Sequence, residues 1–109
     1  MSVLHVVLVR WREGPPADLG PLVDAMSEIP GLQDISHGTS ISPENLEAGY
    51  EWMLAVTFVS ATARDGYLVH PLHLPVAALI GGGAEKVVVF DLPRWSRAAG
   101  ELSGQSAEQ

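Results

Sequence analysis

The chain has 109 residues, enough for one domain with a modest core and too few for two. Its 13 acidic against 6 basic residues give a formal charge of −7, which repels phosphate backbones and speaks against nucleic-acid binding. Cysteine is absent, which excludes disulfides, thiol nucleophiles and cysteine-ligated metals and fits a cytoplasmic setting.

No basic amphipathic stretch addresses a membrane surface, and no apolar run reaches the roughly 20 residues of a span. The run Val3 to Val9, interrupted by His5, is too short and too strand-like for a signal segment. It reads instead as the start of a first strand, Val3 to Trp11, which ends at the turn signal Glu13-Gly14-Pro15-Pro16. Val3, His5, Val7, Val9 and Trp11 share one face, and Leu4, Val6 and Leu8 share the other. Both faces are apolar, so both should be covered. One layer of helices covers only one of them, and the other calls for a partner.

A first helix should begin at Asp18 as N-cap, with Pro21 in its first turn and an apolar stripe of Leu19, Leu22, Val23, Met26 and Ile29. Pro30-Gly31 stops it. Leu32 to Ser42 reads as a polar edge strand with a solvated His37, and Gly38 marks a bulge or bend. A loop through Ser42-Pro43-Glu44-Asn45 leads to a third strand, Tyr50 to Val59, again apolar on both faces. Ser60 or Thr62 should cap a second helix towards His70, followed by a helical segment from Leu72 to Leu79. Gly81-Gly82-Gly83 reads as a flexible break without the lysine or spacing of a phosphate loop. Val87 to Leu92 is the last strand. Residues 1–93 form the expected domain, and 94–109, rich in Gly, Ser, Gln, Glu and Ala, read as a flexible tail, disordered over roughly the last ten residues.

The order strand, helix, strand, strand, helix, strand is the α+β, ferredoxin-like β-α-β-β-α-β pattern: a four-stranded antiparallel sheet with helices on one face. The second apolar face is accounted for if two sheets pack face to face in a homodimer, making a dimeric α/β barrel.

Chemistry concentrates in Tyr67-Leu68-Val69-His70-Pro71-Leu72-His73-Leu74, which holds two of the four histidines and one of the two tyrosines. A neutral imidazole at His73 could take an acidic proton, and the Tyr67 phenol could donate to a carbonyl or enolate. Equally, both could pack at a helix end and bond the backbone. His70 precedes Pro71, which suits a corner or cap. His5, on an apolar face, needs a partner: Tyr67, His73 or a backbone carbonyl. His70 and His73 have no third ligand at obvious spacing, so no metal site is expected. Val7, Val9, Trp11, Trp52, Leu54 and Val56 form the inner sheet face, either as plain core or as the lining of an apolar cavity. Asp91 and Lys86 flank the last strand as an exposed or interfacial charge pair.

His5-Val6-Val7-Leu8-Val9, Ile41-Ser42-Pro43-Glu44, Gly49-Tyr50, Val56-Thr57-Phe58, the His70-Pro71-Leu72-His73 element and Glu85-Lys86-Val87-Val88-Val89-Phe90-Asp91 together resemble the stress-responsive A/B barrel (Dabb) family. The resemblance implies a dimeric α/β barrel. One plant member is a polyketide cyclase that performs an intramolecular aldol condensation without a cofactor. Its catalytic tyrosine and histidine match Tyr67 and His73, a first-strand histidine matches His5, and a pocket tyrosine matches Tyr50. A further pocket histidine falls on Trp52 here, and the first helix is shorter, so the plant substrate does not carry over. The resemblance thus implies His73, Tyr67 and His5 as catalytic residues. The expected contacts for an apolar or polyketide-like molecule are Tyr50, which the resemblance implies, with Val7, Val9, Trp52, Leu54 and Val56 of the inner sheet face and His70 and Leu74 of the Tyr67–Leu74 stretch; no cofactor or metal is expected. The alternatives are a non-catalytic stress-response dimer or ligand carrier, and a cofactor-independent monooxygenase acting on an aromatic polyketide.

Overall fold

The computed structural model describes residues 1–95, so the expected tail lies, from residue 96 on, outside the described residues. The chain runs β1 (Ser2–Trp11), α1 (Leu19–Ala25), a 3-10 turn (Met26–Glu28), β2 (Leu32–Thr39), β3 (Trp52–Phe58), α2 (Ala61–Leu68), α3 (Leu74–Gly83) and β4 (Ala84–Arg94). The strands form one antiparallel sheet in the order β2-β3-β1-β4, the ferredoxin-like arrangement the sequence predicts. Among the described residues no helix is long and apolar enough to cross a membrane.

The alternation in β1 decides the layering. Val3, His5, Val7, Val9 and Trp11 are buried beneath the helices, where they meet Leu19, Val23, Met26, Val76 and Ile80. Side chains of directly paired residues share a sheet face. The pairing of Val9 with Trp52, Val7 with Leu54 and His5 with Val56 therefore brings the even residues of β3 into the same core. The opposite face pairs Leu4 with Leu92, Val6 with Phe90 and Leu8 with both Met53 and Val88. Among the described residues it has no covering layer, and Phe90 is 64% exposed.

Two details differ from the predicted elements. The glycine run is no break: α3 continues through Gly83, and β4 starts at the next residue. Gly83 lies against the Trp11 ring, where an added Cβ would approach Cζ3 to 3.3 Å, so close helix–sheet packing explains a residue that otherwise weakens a helix. The irregularity in β2 falls between Leu32 and Asp34 and not at Gly38, so Gly38 sits in regular pairing with Met53. His37 is exposed, as expected, but its Nε2 is also tied to Asp24 Oδ1 across 3.0 Å.

The turn from α1 into β2 has a specific demand. Gly31 adopts φ +83°, and a Cβ there would come within 2.5 Å of Ala63 Cβ. Only glycine meets both conditions, and it seats the start of α2 against this corner.

Candidate active site

Each of the three residues expected to act together is placed by a different local device. His5 is carried by the buried phase of β1 and is only 4% exposed. Tyr67 lies in the last turn of α2, a helix started by Ser60, whose Oγ accepts from Ala63 N–H at 3.1 Å. α2 ends at Leu68 with Val69 as its C-cap, shortly before His70-Pro71, where helical geometry is disfavoured. The His70 imidazole Nδ1 then accepts from Leu72 N–H at 3.0 Å and shapes the corner, the role the sequence suggests for it. His73 follows immediately, at the start of α3.

The corner folds His73 back over α2. Its ring lies 4.4 Å from that of Tyr67, which in turn stands 5.6 Å edge-on from His5 and 4.8 Å from Phe58. Tyr67, His73 and His5 thus meet in one aromatic cluster, with Phe58 as its apolar wall.

The hydrogen bonds define what these groups can do. His73 Nδ1 is 3.0 Å from the Leu68 carbonyl. A carbonyl only accepts, so Nδ1 carries the hydrogen and Nε2 of neutral His73 holds a free lone pair. Burial lowers the His73 pKa from the ordinary 6.5; the Leu68 carbonyl opposes this and the neighbouring His5 reinforces it, and the net direction is down. The imidazole is therefore neutral at pH 7 and available as a base. The Tyr67 hydroxyl is buried with no hydrogen-bond partner among the described residues, and burial pushes its pKa up to about 12. It stays protonated at neutral pH and can act as a donor.

Asp91, which the sequence places only in a charge pair with Lys86, stands beside the cluster. The β1–β4 register sets it directly beside His5, and its Oδ1 lies 2.6 Å from His5 Nδ1. Its other oxygen accepts from the Arg64 guanidinium of α2. Burial raises the Asp91 pKa, but the hydrogen bonds from His5 and Arg64 outweigh it and hold the carboxyl below its ordinary value. The expected exposed pair with Lys86 is replaced by this half-buried cluster. The partner of His5 is a carboxylate, not Tyr67, His73 or a backbone carbonyl.

The expected ligand contacts fall in different places. Val7, Val9, Leu54 and Val56 are packed in the core beside the cluster. Leu74 is 54% exposed at the start of α3. Trp52 is buried against Trp11 at 5.6 Å between ring centroids. Tyr50 and Trp52 line a pocket of about 660 Å³ beneath the β2–β3 loop, with His37, Ile41, Leu46 and Met53, and that pocket includes none of Tyr67, His73 or His5. Two further apolar residues lie on the same sheet face as His5. Val87 and Val89 share the helix-facing phase of β4 with Asp91, beyond the edge of the helical layer, and Val89 is 57% exposed. Among the described residues no group of three or more His, Asp or Glu side chains is arranged to hold a metal ion.

The stress-responsive A/B barrel domain description matches residues 3–94. A stress-response A/B barrel domain-containing protein of Arabidopsis thaliana is 31% identical over 94 residues, which cover 82% of this chain and 86% of that protein. Olivetolic acid cyclase of Cannabis sativa is 25% identical over 96 residues, 84% of this chain and 95% of the cyclase. A dimeric ferredoxin-like protein of unknown function from Jannaschia sp. superimposes with a TM-score of 0.77 at 24% identity, covering 86% of this chain and 100% of that one. The match spans both apolar sheet faces, the His-Pro-x-His corner and the closing strand that carries Asp91, and the chain belongs to the stress-responsive A/B barrel domain family.

Proposed function

We propose that this chain is one subunit of a homodimeric α/β barrel that binds a small apolar, polyketide-like molecule and catalyses cofactor-free proton transfer of the intramolecular aldol type. The observation that carries the reading is the meeting of His73, Tyr67 and His5, with a buried phenol donor beside a neutral imidazole. Likeness to a cyclase supports it, as do the relative described as dimeric and the exposed apolar sheet face, which a second copy would bury.

In this scheme Tyr67 donates its hydroxyl hydrogen to a substrate carbonyl. His73 Nε2 removes a proton from the carbon between two carbonyls, and the resulting enolate carbon attacks a second carbonyl of the same molecule. The imidazolium of His73 returns the proton to the new alkoxide, so the protein ends unchanged. His5 supports the site. A positioned base contributes about 10²- to 10⁴-fold. The test is turnover of a linear poly-β-ketone by the wild type, His73→Ala and Tyr67→Phe. Losses in that range support the reading, and unchanged rates in both variants would sink it.

One observation favours a second reading, a ligand carrier or stress-response dimer without chemistry. The side chains around the cluster are tightly buried, with Val9, Val56 and Phe58 fully enclosed. On that reading His73→Ala changes stability alone.

A further inference from the structure

The Arg64–Asp91–His5 chain has no part in the proton transfer above, yet it links α2, β4 and β1 through one carboxylate. A carboxylate only accepts. His5 Nδ1, 2.6 Å from Asp91 Oδ1, must therefore carry the hydrogen when the ring is neutral, and Nε2 must carry the lone pair. A histidine side chain free in water prefers the opposite tautomer. Arg64 is itself braced, because its Nε donates to Asp65 Oδ1 at 2.9 Å while its NH1 donates to Asp91. The guanidinium is planar and permanently charged, so pinning one edge orients the other.

We propose that Arg64 and Asp91 are positioning residues for His5: Arg64, braced by Asp65, holds the Asp91 carboxylate in the orientation that fixes His5 as its Nδ1–H tautomer and leaves Nε2 an acceptor within the Tyr67–Phe58 cluster. Tyr67 supplies a donor, and His5 supplies an acceptor. An enolised 1,3-diketone carries one carbonyl and one hydroxyl, and it matches that pair. This assignment of the substrate group rests on the proposed function, whereas the tautomer does not.

The experiment is a long-range ¹H–¹⁵N correlation spectrum of the full chain labelled at histidine, recorded above the imidazole titration range and without substrate. The expected wild-type result for His5 is a pyrrole-type Nδ1 and a pyridine-type Nε2. Arg64→Gln and Asp91→Ala should lose that pattern, giving a mixture or the inverted tautomer, while Arg64→Lys should retain much of it. A wild-type His5 in the Nε2–H form overturns the proposal, and it does so even if a variant fails to fold. An unchanged His5 pattern in Arg64→Gln overturns the part assigned to Arg64. Turnover is read separately: an inert His73→Ala pair of rates with the Nδ1–H pattern intact defeats the catalytic reading alone.

Discussion

Replacing Tyr67 with Phe should stabilise the fold while abolishing whatever the phenol does. The hydroxyl is buried with no partner among the described residues, in a residue that is 1% exposed. Enclosing an unbonded hydroxyl costs about 1–3 kcal/mol, and Phe removes that cost while keeping the ring that packs on Phe58 and His73. The new gap is the volume of one oxygen, so the expected gain is about 1–2 kcal/mol, or roughly 4–8 °C in Tm for a domain of this size. Urea melts at fixed protein concentration measure it, since association alters apparent stability. The midpoint should rise with the slope unchanged. A loss of about 1 kcal/mol or more in Tyr67→Phe would refute the reasoning, because it would show that the hydroxyl is hydrogen-bonded in the folded protein. A gain in stability together with lost turnover is the signature of a polar group retained for function.

Three further outcomes follow from the same geometry. Tyr67 titrates near 10 when unfolded and at about 12 in the fold, so its contribution is present below pH 10 and is lost as pH rises towards 12; melts across that window should show a fall of about 2–3 kcal/mol that is missing in Tyr67→Phe. Gly31→Ala combines positive φ with a 2.5 Å approach to Ala63 and should cost at least about 2 kcal/mol, whereas Gly38→Ala, with nothing within 4 Å, should stay within about 0.5 kcal/mol. Phe90→Asp puts a charge on the exposed sheet face and should convert the proposed homodimer to a monomer by light scattering; an unchanged mass would count against an interface on this face.

The fold was legible because the chain states both of its periodicities plainly. The β-branched alternation of β1 and β3 gives the strands, and the helices cover the phase of β1 that carries Val7, Val9 and Trp11. Within the candidate site, His73 and Tyr67 were legible because they lie six residues apart around a proline that forces a corner. Asp91 was not, because its meaning comes from a partner 86 residues away. At the end of an apolar strand a lone carboxylate looks like a solvated charge, and only the register of β4 against β1 turns it inward. The signal that could have found it is phase: Val87, Val89 and Asp91 alternate together, and a buried His5 on a neighbouring strand needs a partner there. Arg64 had no signal at all, since its reach from α2 depends on where that helix crosses the sheet. Tyr50 was drawn towards the cluster by resemblance, but it lines a separate pocket by the β2–β3 loop; Trp52 borders that pocket and is buried on the inner sheet face, as its phase predicts.

The measurement that bears most directly on the proposed chemistry is the pH profile of kcat/KM for a linear poly-β-ketone, in the wild type and in His73→Ala. If His73 is the base, the wild type shows an acid limb with its midpoint below 6.5, because burial and the nearby His5 lower the imidazole pKa more than the Leu68 carbonyl raises it. His73→Ala should lose that limb along with about 10²- to 10⁴-fold in rate. Equal rates for the two proteins, or a wild-type limb centred above 6.5, would contradict the assignment of His73 as the base.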